Sequence, residues 1–341
     1  MKNVSPSSTV NESDPIADVT IRPMTAARRQ AMDRTASLFA NTAGITLVAI
    51  VLLILAFMAR ESLPLLTRMN VWRFLTGTRW YPVSIPPTFE ILPFVVASGL
   101  ITVWSLIFAV PVGLAAAVYM AEMSPDRIRL SAKPVLEVLA GIPSIIFGLI
   151  GLLILSPLVR EAFNLNSGLA GITAALLLAV MVLPTIISLS DEAIRAVPRD
   201  YRDASLALGA TQWQTLTRVT LPAAGSGVKA ALLLALGRAL GETMLVLMVA
   251  GGRITVPTGI MQPMRTITAT LATEVNNAAY GSDHYRALFG LGLVLLVATL
   301  GLSVLAEKYA EKGRRQAGLG GGATAARAGG GAAGQGGTTG V

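Results

Sequence analysis

The sequence predicts an all-α membrane protein with six transmembrane helices. Only 13% of its 341 residues are charged, whereas soluble domains carry about 25%. The mean hydropathy is +0.64. Several stretches also lack any charge over roughly 20 residues, the length that crosses the hydrocarbon core of a bilayer as a helix. These observations favour a multi-span membrane protein over a soluble domain.

The predicted spans alternate with charged or proline-rich connections. A polar, basic and disordered arm is expected at residues 1–36, without a cleaved signal sequence. Residues 37–60 form the first transmembrane helix. Residues 61–90 form an extracytoplasmic connection whose tryptophans and prolines are typical of a membrane interface. The other five spans are expected at residues 91–121, 134–158, 169–189, 228–250 and 287–306.

The remaining boundaries follow from composition. The five later spans make up a core at residues 91–308, which a hydrophilic loop at residues 191–226 interrupts. A second hydrophilic connection covers residues 251–286 and holds the single histidine, His284, which is expected to be solvated. Residues 309–341 are rich in glycine and alanine and cannot bury enough apolar surface to fold, so a disordered tail is expected.

Glycine and proline predict a break in the third span, at Gly141, Pro143 and Ser144. Proline lacks a backbone N–H and glycine is flexible, so together they kink or interrupt a helix. A membrane tolerates such a break where protein or a water-filled cavity satisfies the freed backbone groups. We therefore expect this break to lie near a solute pathway.

Basic residues predict the orientation of the chain. Six spans place both termini on one side of the membrane. If that side is the cytoplasm, its segments hold 18 of the 27 lysines and arginines, and the outer connections hold 8. The positive-inside rule then places both termini and the loop at residues 191–226 in the cytoplasm.

Within this loop, residues 198–222 are predicted to form two short helices. Pro198 fits a first helical position, and small or apolar side chains then recur at helical spacing. Gly209 is placed to end the first helix, and Thr211 has the spacing to Gln214 that starts a second helix with a capping box. The second helix is expected to stop before Pro222. From the pattern alone, a surface hairpin without function is an equal alternative.

The fifth span carries two charged residues near its middle, Arg238 and Glu242. They are four residues apart and would share one face of a continuous helix. Because a charge at the centre of a membrane helix costs roughly 2.5–3.5 kcal/mol, an intramembrane ion pair is a functional hypothesis. Arg238 could bind an oxyanion through two hydrogen bonds, oriented by Glu242. The alternative is a structural pair that only fixes helix packing.

The sequence contains no catalytic constellation. It has no cysteine, one histidine and no Gly-x-x-x-x-Gly-Lys-Ser/Thr phosphate loop. Neither a cofactor, a metal nor a nucleic acid is expected as a ligand. Transport by such a chain would depend on a partner ATPase or on an ion gradient.

The spacing in residues 198–222 resembles the signature loop of ABC importer permeases. That signature reads Glu-Ala-Ala, three residues, Gly, nine residues, Ile, any residue, Leu-Pro, and the chain departs from it by Asp for Glu, Ser for the second Ala and Val for Ile. The resemblance implies the ABC transporter type-1 permease fold and a coupling helix that docks onto an ATP-binding subunit. The residues that carry the pattern here are Asp203, Ala204, Ser205, Gly209, Leu221 and Pro222.

Three further motifs, at residues 109–125, 136–148 and 237–243, are similar to permeases of the phosphate-specific importer, of the PstC type. The likeness covers about residues 60–310. It implies inorganic phosphate as solute, with Arg238 and Glu242 linked to its passage, and location in the bacterial cell membrane. It also implies a sister permease (PstA-type), an ATP-binding subunit dimer (PstB-type) and an extracytoplasmic phosphate-binding protein (PstS-type) as partners.

Three alternatives stay open at this point. The same architecture could move another oxyanion or small solute, because the sequence does not locate a pocket. The chain could also be the PstA-type rather than the PstC-type subunit. A stand-alone secondary transporter or channel is disfavoured, since no inverted repeat is visible and the coupling-loop spacing argues against it.

Overall fold

The structure, a computed structural model, describes residues 26–316, and this part of the chain is mostly helical. Its π-helical turns are Tyr119–Met123, Gly151–Leu155 and Leu216–Thr220, Val275–Asn277 is a 3₁₀ turn, and the strands β1 Trp80–Tyr81 and β2 Thr88–Phe89 pair antiparallel. Its α-helices are α1 Ala26–Arg68, α2 Val71–Thr76, α3 Leu92–Val118, α4 Asp126–Gly141, α5 Ser144–Ile150, α6 Ser156–Ala162, α7 Gly171–Arg195, α8 Arg199–Ala207, α9 Gln212–Thr215, α10 Leu221–Leu240, α11 Met244–Val249, α12 Ile267–Glu274 and α13 Asp283–Gln316.

Six helical stretches between residues 26 and 316 are long and apolar enough to cross a membrane, which confirms the predicted number of spans. The fourth of them is the most buried, since 67% of its most apolar window is buried, against a third or less in the others. The six stretches are Ser37–Arg68, Leu92–Met123, Ser144–Ala162, Gly171–Arg195, Gln212–Leu240 and Asp283–Lys312.

The chain divides into two compact units, Met1–Ile54 and Leu55–Val341. Of the first unit, the structure describes the N-terminal part of α1, whose apolar side chains such as Phe39 and Leu53 are exposed. In the second unit, α7 packs against α3 and α10, and α10 packs against α13. The core between α3, α7 and α10 contains many alanines, and such small side chains let membrane helices approach closely.

The first and the last long helices, α1 and α13, extend further towards the C-terminus than the predicted spans. α1 continues to Arg68, so residues 61–68 of the predicted connection are helical, because Leu65 packs into a buried cluster with Phe74. α13 is helical to Gln316, because residues 307–316 are mostly strong helix formers that prolong the last span. The first 25 residues of the predicted arm and residues 317–341 of the predicted tail lie outside the described residues.

The predicted break at residues 141–144 is confirmed, and it shortens the third span. α4 ends at Gly141, Pro143 is extended at the N-cap position, and α5 begins at Ser144. The residue before a proline avoids the helical conformation, and Ile142 accordingly has ψ 126°. The single span predicted at residues 134–158 is therefore wrong in extent, since the membrane-length stretch begins only after the break.

A buried cluster joins the connection before α3 to the segment before α13. The indole Nε1 of Trp80 donates to Oε2 of Glu274 over 2.9 Å. The ring Nε2 of His284 lies 2.9 Å from the same oxygen, and Nη1 of Arg265 donates to Oε1 over 2.8 Å. The His284 side chain is 18% exposed and its ring stacks on Phe89. The prediction of a solvated histidine is therefore wrong.

Glu90 fixes the neighbouring backbone. Its side chain, 7% exposed, accepts hydrogen bonds from the backbone N–H of Arg79 at 2.7 Å and from Nε of Arg73 at 3.0 Å. Burial raises the pKa of Glu90, but these hydrogen bonds and the charge of Arg73 outweigh burial and hold the pKa below its ordinary value of 4.5. A Cβ at Gly77 would overlap this carboxylate, which explains the glycine there.

Glu90→Gln is expected to lower the melting temperature of the detergent-solubilised protein at neutral pH, because a hydrogen bond to a charged group contributes about 1.5–3 kcal/mol. Since the folded state lowers the pKa, the carboxylate stabilises fully above pH 4.5 and loses this effect as the pH falls through the folded-state pKa. The difference between the two proteins should therefore shrink on acidification. Glu161→Gln, at an exposed glutamate, is the control, and a difference independent of pH would contradict the prediction.

Candidate solute pathway and docking segment

Two helices that each begin directly after a break in the helical chain meet in the second unit. The first break separates α4 from α5, and the second separates α10 from α11. α5 packs against α11, and Phe147 of α5 shares a core cluster with Leu245 and Val249 of α11. Broken membrane helices are stable where protein or a cavity satisfies the backbone, and in transporters they commonly form the solute site. The contact between α5 and α11, next to the two breaks, is therefore a candidate pathway.

The second break was not predicted from the sequence. α10 ends at Leu240 with Gly241 as its C-cap, and α11 starts at Met244. The backbone N–H of Glu242 still donates to the carbonyl of Ala239 over 3.3 Å, so the chain makes a tight turn rather than a loop. The continuous helix predicted at residues 228–250 is therefore wrong, because a glycine C-cap ended the helix without any proline to mark it.

Arg238 lies in the last turn of α10, directly before this break. Its Nη1 donates to Oγ1 of Thr185, in the central helix α7, over 3.2 Å, and its side chain is otherwise exposed. Thr185 was not predicted as this partner, since a threonine 53 residues away carries no local signal of the contact. One nitrogen of the guanidinium, Nη1, is thus hydrogen-bonded, while the other N–H donors of Arg238 stay accessible.

Glu242 does not pair with Arg238 in the described part of the chain, so the predicted ion pair is wrong. The two residues no longer share a helix face, because α10 has ended between them. Oε1 of Glu242 instead accepts a hydrogen bond from the backbone N–H of Leu245 at 3.3 Å, and its carbonyl accepts one from Oγ1 of Thr268 at 2.7 Å. Glu242 therefore caps α11 and ties the break to α12.

This geometry leaves Arg238 without a carboxylate partner among residues 26–316. A planar guanidinium presents several donors that match an oxyanion bidentately. A neighbouring carboxylate would compete with such an anion for the guanidinium. The carboxylate predicted to do so, that of Glu242, instead accepts a hydrogen bond at the start of α11. The arrangement can therefore attract a small oxyanion into the region of the two breaks.

α8 ends just before a glycine, as predicted. Gly209 has φ +84°, a left-handed conformation that glycine adopts without strain. Its N–H donates to the carbonyl of Leu206 over 2.9 Å, and the N–H of Ala210 donates to the carbonyl of Ser205 over 3.2 Å. These two bonds form a Schellman motif, which confirms Gly209 as the residue that follows the helix.

The capping box at Thr211 and Gln214 is also confirmed. Two predicted helix boundaries in this segment differ from those in the structure. α8 starts at Arg199, one residue after Pro198. The second helix does not stop before Pro222, because α9 continues through a π-helical turn into α10, and Pro222 is the second residue of α10, directly after that turn.

α8 buries none of its side chains. Leu208, directly after it, is 90% exposed, and Tyr201 and Trp213 are also exposed. Clustered exposed apolar side chains mark a contact surface for another protein or a membrane. Of the predicted docking residues, the exposed ones are Asp203, Ala204, Gly209 and Pro222, and the half-buried ones are Ser205 and Leu221.

Comparison with known proteins gives consistent matches. Residues 109–307 match the family described as "Binding-protein-dependent transport system inner membrane component". The chain is 36% identical over 242 residues to the "Probable ABC transporter permease protein YqgH" of Bacillus subtilis, covering 71% of this chain and 78% of that protein. It is 34% identical over 253 residues to the "Phosphate transport system permease protein PstC" of Mesorhizobium japonicum, covering 69% and 76% respectively.

Among solved structures, the chain is similar to one of a bacterial ABC transporter involved in the import of the acidic polysaccharide alginate. The TM-score is 0.50 at 15% identity, covering 85% of this chain and 99% of the other. The fold is thus that of type-1 ABC permeases, which are transport components rather than catalysts. Six membrane-length helices among the described residues and the family match make it a multi-pass protein of the bacterial inner membrane. The chain belongs to the binding-protein-dependent transport system inner membrane components, the permease subunits of ABC importers.

Proposed function

We propose that this chain is the PstC-type permease subunit of an ATP-driven phosphate importer. The observation that carries this proposal is Arg238, a guanidinium tied to Thr185 and lacking a carboxylate partner among the described residues, directly before the break between α10 and α11. Relatives whose printed name is phosphate transport system permease protein PstC support phosphate as the solute. The subunit forms the translocation pathway together with a PstA-type sister permease.

The chemistry of Arg238 suits phosphate. An unpaired charge within a membrane is costly, so the site is stabilised when an anion enters and pairs with it. A phosphate offers several oxygens to the accessible N–H donors, and Thr185 holds the side chain without neutralising it. Glu242 supports the pathway from the other side of the break by capping α11, rather than by pairing with the arginine.

The excess of basic residues on one set of connections supports a cytoplasmic location for both termini and for α8 and α9. On that side, the exposed surface of α8 docks onto the PstB-type ATP-binding subunit, which hydrolyses ATP. The connections at residues 61–90 and 251–286 then face outwards, where the PstS-type phosphate-binding protein approaches.

Reconstitution of the whole complex in liposomes tests this function. Phosphate-loaded binding protein should stimulate ATP hydrolysis and phosphate uptake, and the ATP-binding subunit should co-purify with this chain. The same guanidinium could bind other tetrahedral oxyanions, so sulfate and molybdate with their own binding proteins are the comparison. Stimulation by one of those anions and none by phosphate would replace phosphate as the solute.

A further inference from the structure

Two arginines from different elements hold the π-helical turn that ends α3, residues Tyr119–Met123. The first is Arg195, in the last turn of α7. Its Nε lies 2.7 Å from Oδ1 of Asp191, and its Nη2 donates to the carbonyl of Met120 over 2.5 Å. Asp191 is 2% exposed, so its charge depends on Arg195 for compensation. This contact fixes the turn to the end of α7.

The second is Arg202, in α8. Its Nη2 lies 2.6 Å from Oε1 of Glu122, within the same turn, and also donates to the carbonyl of Ile194 near the end of α7, over 2.9 Å. The side chains of Arg202 and Glu122 are 21% and 20% exposed. At this depth an ion pair is less screened by solvent than a surface pair, so it contributes more to holding the two elements together.

Arg202 is the polar link from α8 to the membrane helices. In the described part of the chain, α8 buries no side chain, and the other polar side-chain contact that it makes is the 3.0 Å contact between Ser205 and Thr215, which leads to α9. The chain itself joins α8 to α7 through residues 196–198, and Arg202 adds the side-chain contact through which a force on α8 reaches the end of α3. Helices α3 and α7 pack along each other in the core, and α7 also carries Thr185, the partner of Arg238.

We propose that Arg202 and Glu122 form the contact that transmits movement of the docking segment to the pathway helices. This inference rests on the proposed docking of an ATP-binding subunit at α8. Both are positioning residues, because neither touches the solute. α8, the π-helical turn and the end of α7 move as one body when the ATP-binding subunits close. π-helical turns occur frequently at functional sites, and this one provides the attachment point.

The test uses the complete complex with single and double variants. Arg202→Gln and Glu122→Gln should each lower the binding-protein-stimulated part of ATP hydrolysis, and uptake with it, roughly tenfold, because each removes one partly buried ion pair. Basal ATP hydrolysis and co-purification of the ATP-binding subunit should stay at wild-type levels. The double variant should be no worse than Arg202→Gln, because both changes remove one contact.

Arg127→Gln is the matched control, since Arg127 is an exposed arginine just beyond the same turn. Stimulated hydrolysis within twofold of wild type in both single variants, or additive losses in the double variant, would overturn the proposal. Loss of the ATP-binding subunit on purification would overturn it too, because the pair would then serve docking. If wild type fails to respond to phosphate, the proposed solute fails, and the same variants are compared with whichever solute stimulates wild type.

Discussion

Arg238→Gln is expected to abolish phosphate uptake while the complex still inserts and assembles. The guanidinium has Thr185 as its partner in the described structure, so the substitution breaks no ion pair there. What it removes is the cation that attracts the solute. Each hydrogen bond to a charged group contributes about 1.5–3 kcal/mol, so losing the two bonds of a bidentate contact corresponds to at least about a hundredfold in uptake.

Uptake of labelled phosphate per copy of assembled complex measures this effect. Arg238→Lys keeps the charge but not the planar fork, so it should retain only part of the activity. Arg160→Gln, at an exposed arginine near the end of α6, is the control for loss of a positive charge. Normal uptake by Arg238→Gln would show that the arginine only fixes helix packing.

The features that were predicted correctly are those whose cause lies in neighbouring residues. The six spans follow from the length of apolar stretches, and the break at Pro143 follows from its missing N–H and its effect on Ile142. The end of α8 at Gly209 follows from the need for a left-handed residue. In each case the cause lies within a few residues of its effect, so a single sequence contains it.

The errors arose where the local signal was weak or where contacts between distant segments decide the structure. The break after Leu240 carries no proline, and it removed the shared helix face that the predicted pairing of Arg238 with Glu242 required. Trp80 and Glu274, which surround His284, are 194 residues apart. No spacing rule connects such positions, so neither this cluster nor the contact of Arg238 with Thr185 could be foreseen.

Gly209→Pro is expected to release the ATP-binding subunit from this chain and so to abolish coupled transport. Proline fixes φ near −65°, whereas Gly209 has φ +84°. It also removes the N–H that donates to the carbonyl of Leu206. Because α8 buries no side chain, its angle to α9 depends on this backbone turn and on a few polar contacts, those of Arg202 and Ser205. Co-purification of the ATP-binding subunit and substrate-stimulated ATP hydrolysis are the measurements.

A series at this position separates backbone conformation from side-chain contact. A Cβ at Gly209 would meet no atom within 4 Å of the chain, so any loss with a small residue reflects the positive φ or the docked partner. Asparagine tolerates the left-handed conformation and alanine loses about 1–2 kcal/mol there. Docking should therefore decline in the order Gly, Asn, Ala, Pro. If the Asn variant fails as completely as the Pro variant, the docked partner leaves no room for a side chain at position 209. If the Pro variant still purifies with a stimulated ATPase, α8 and α9 are not the docking segment.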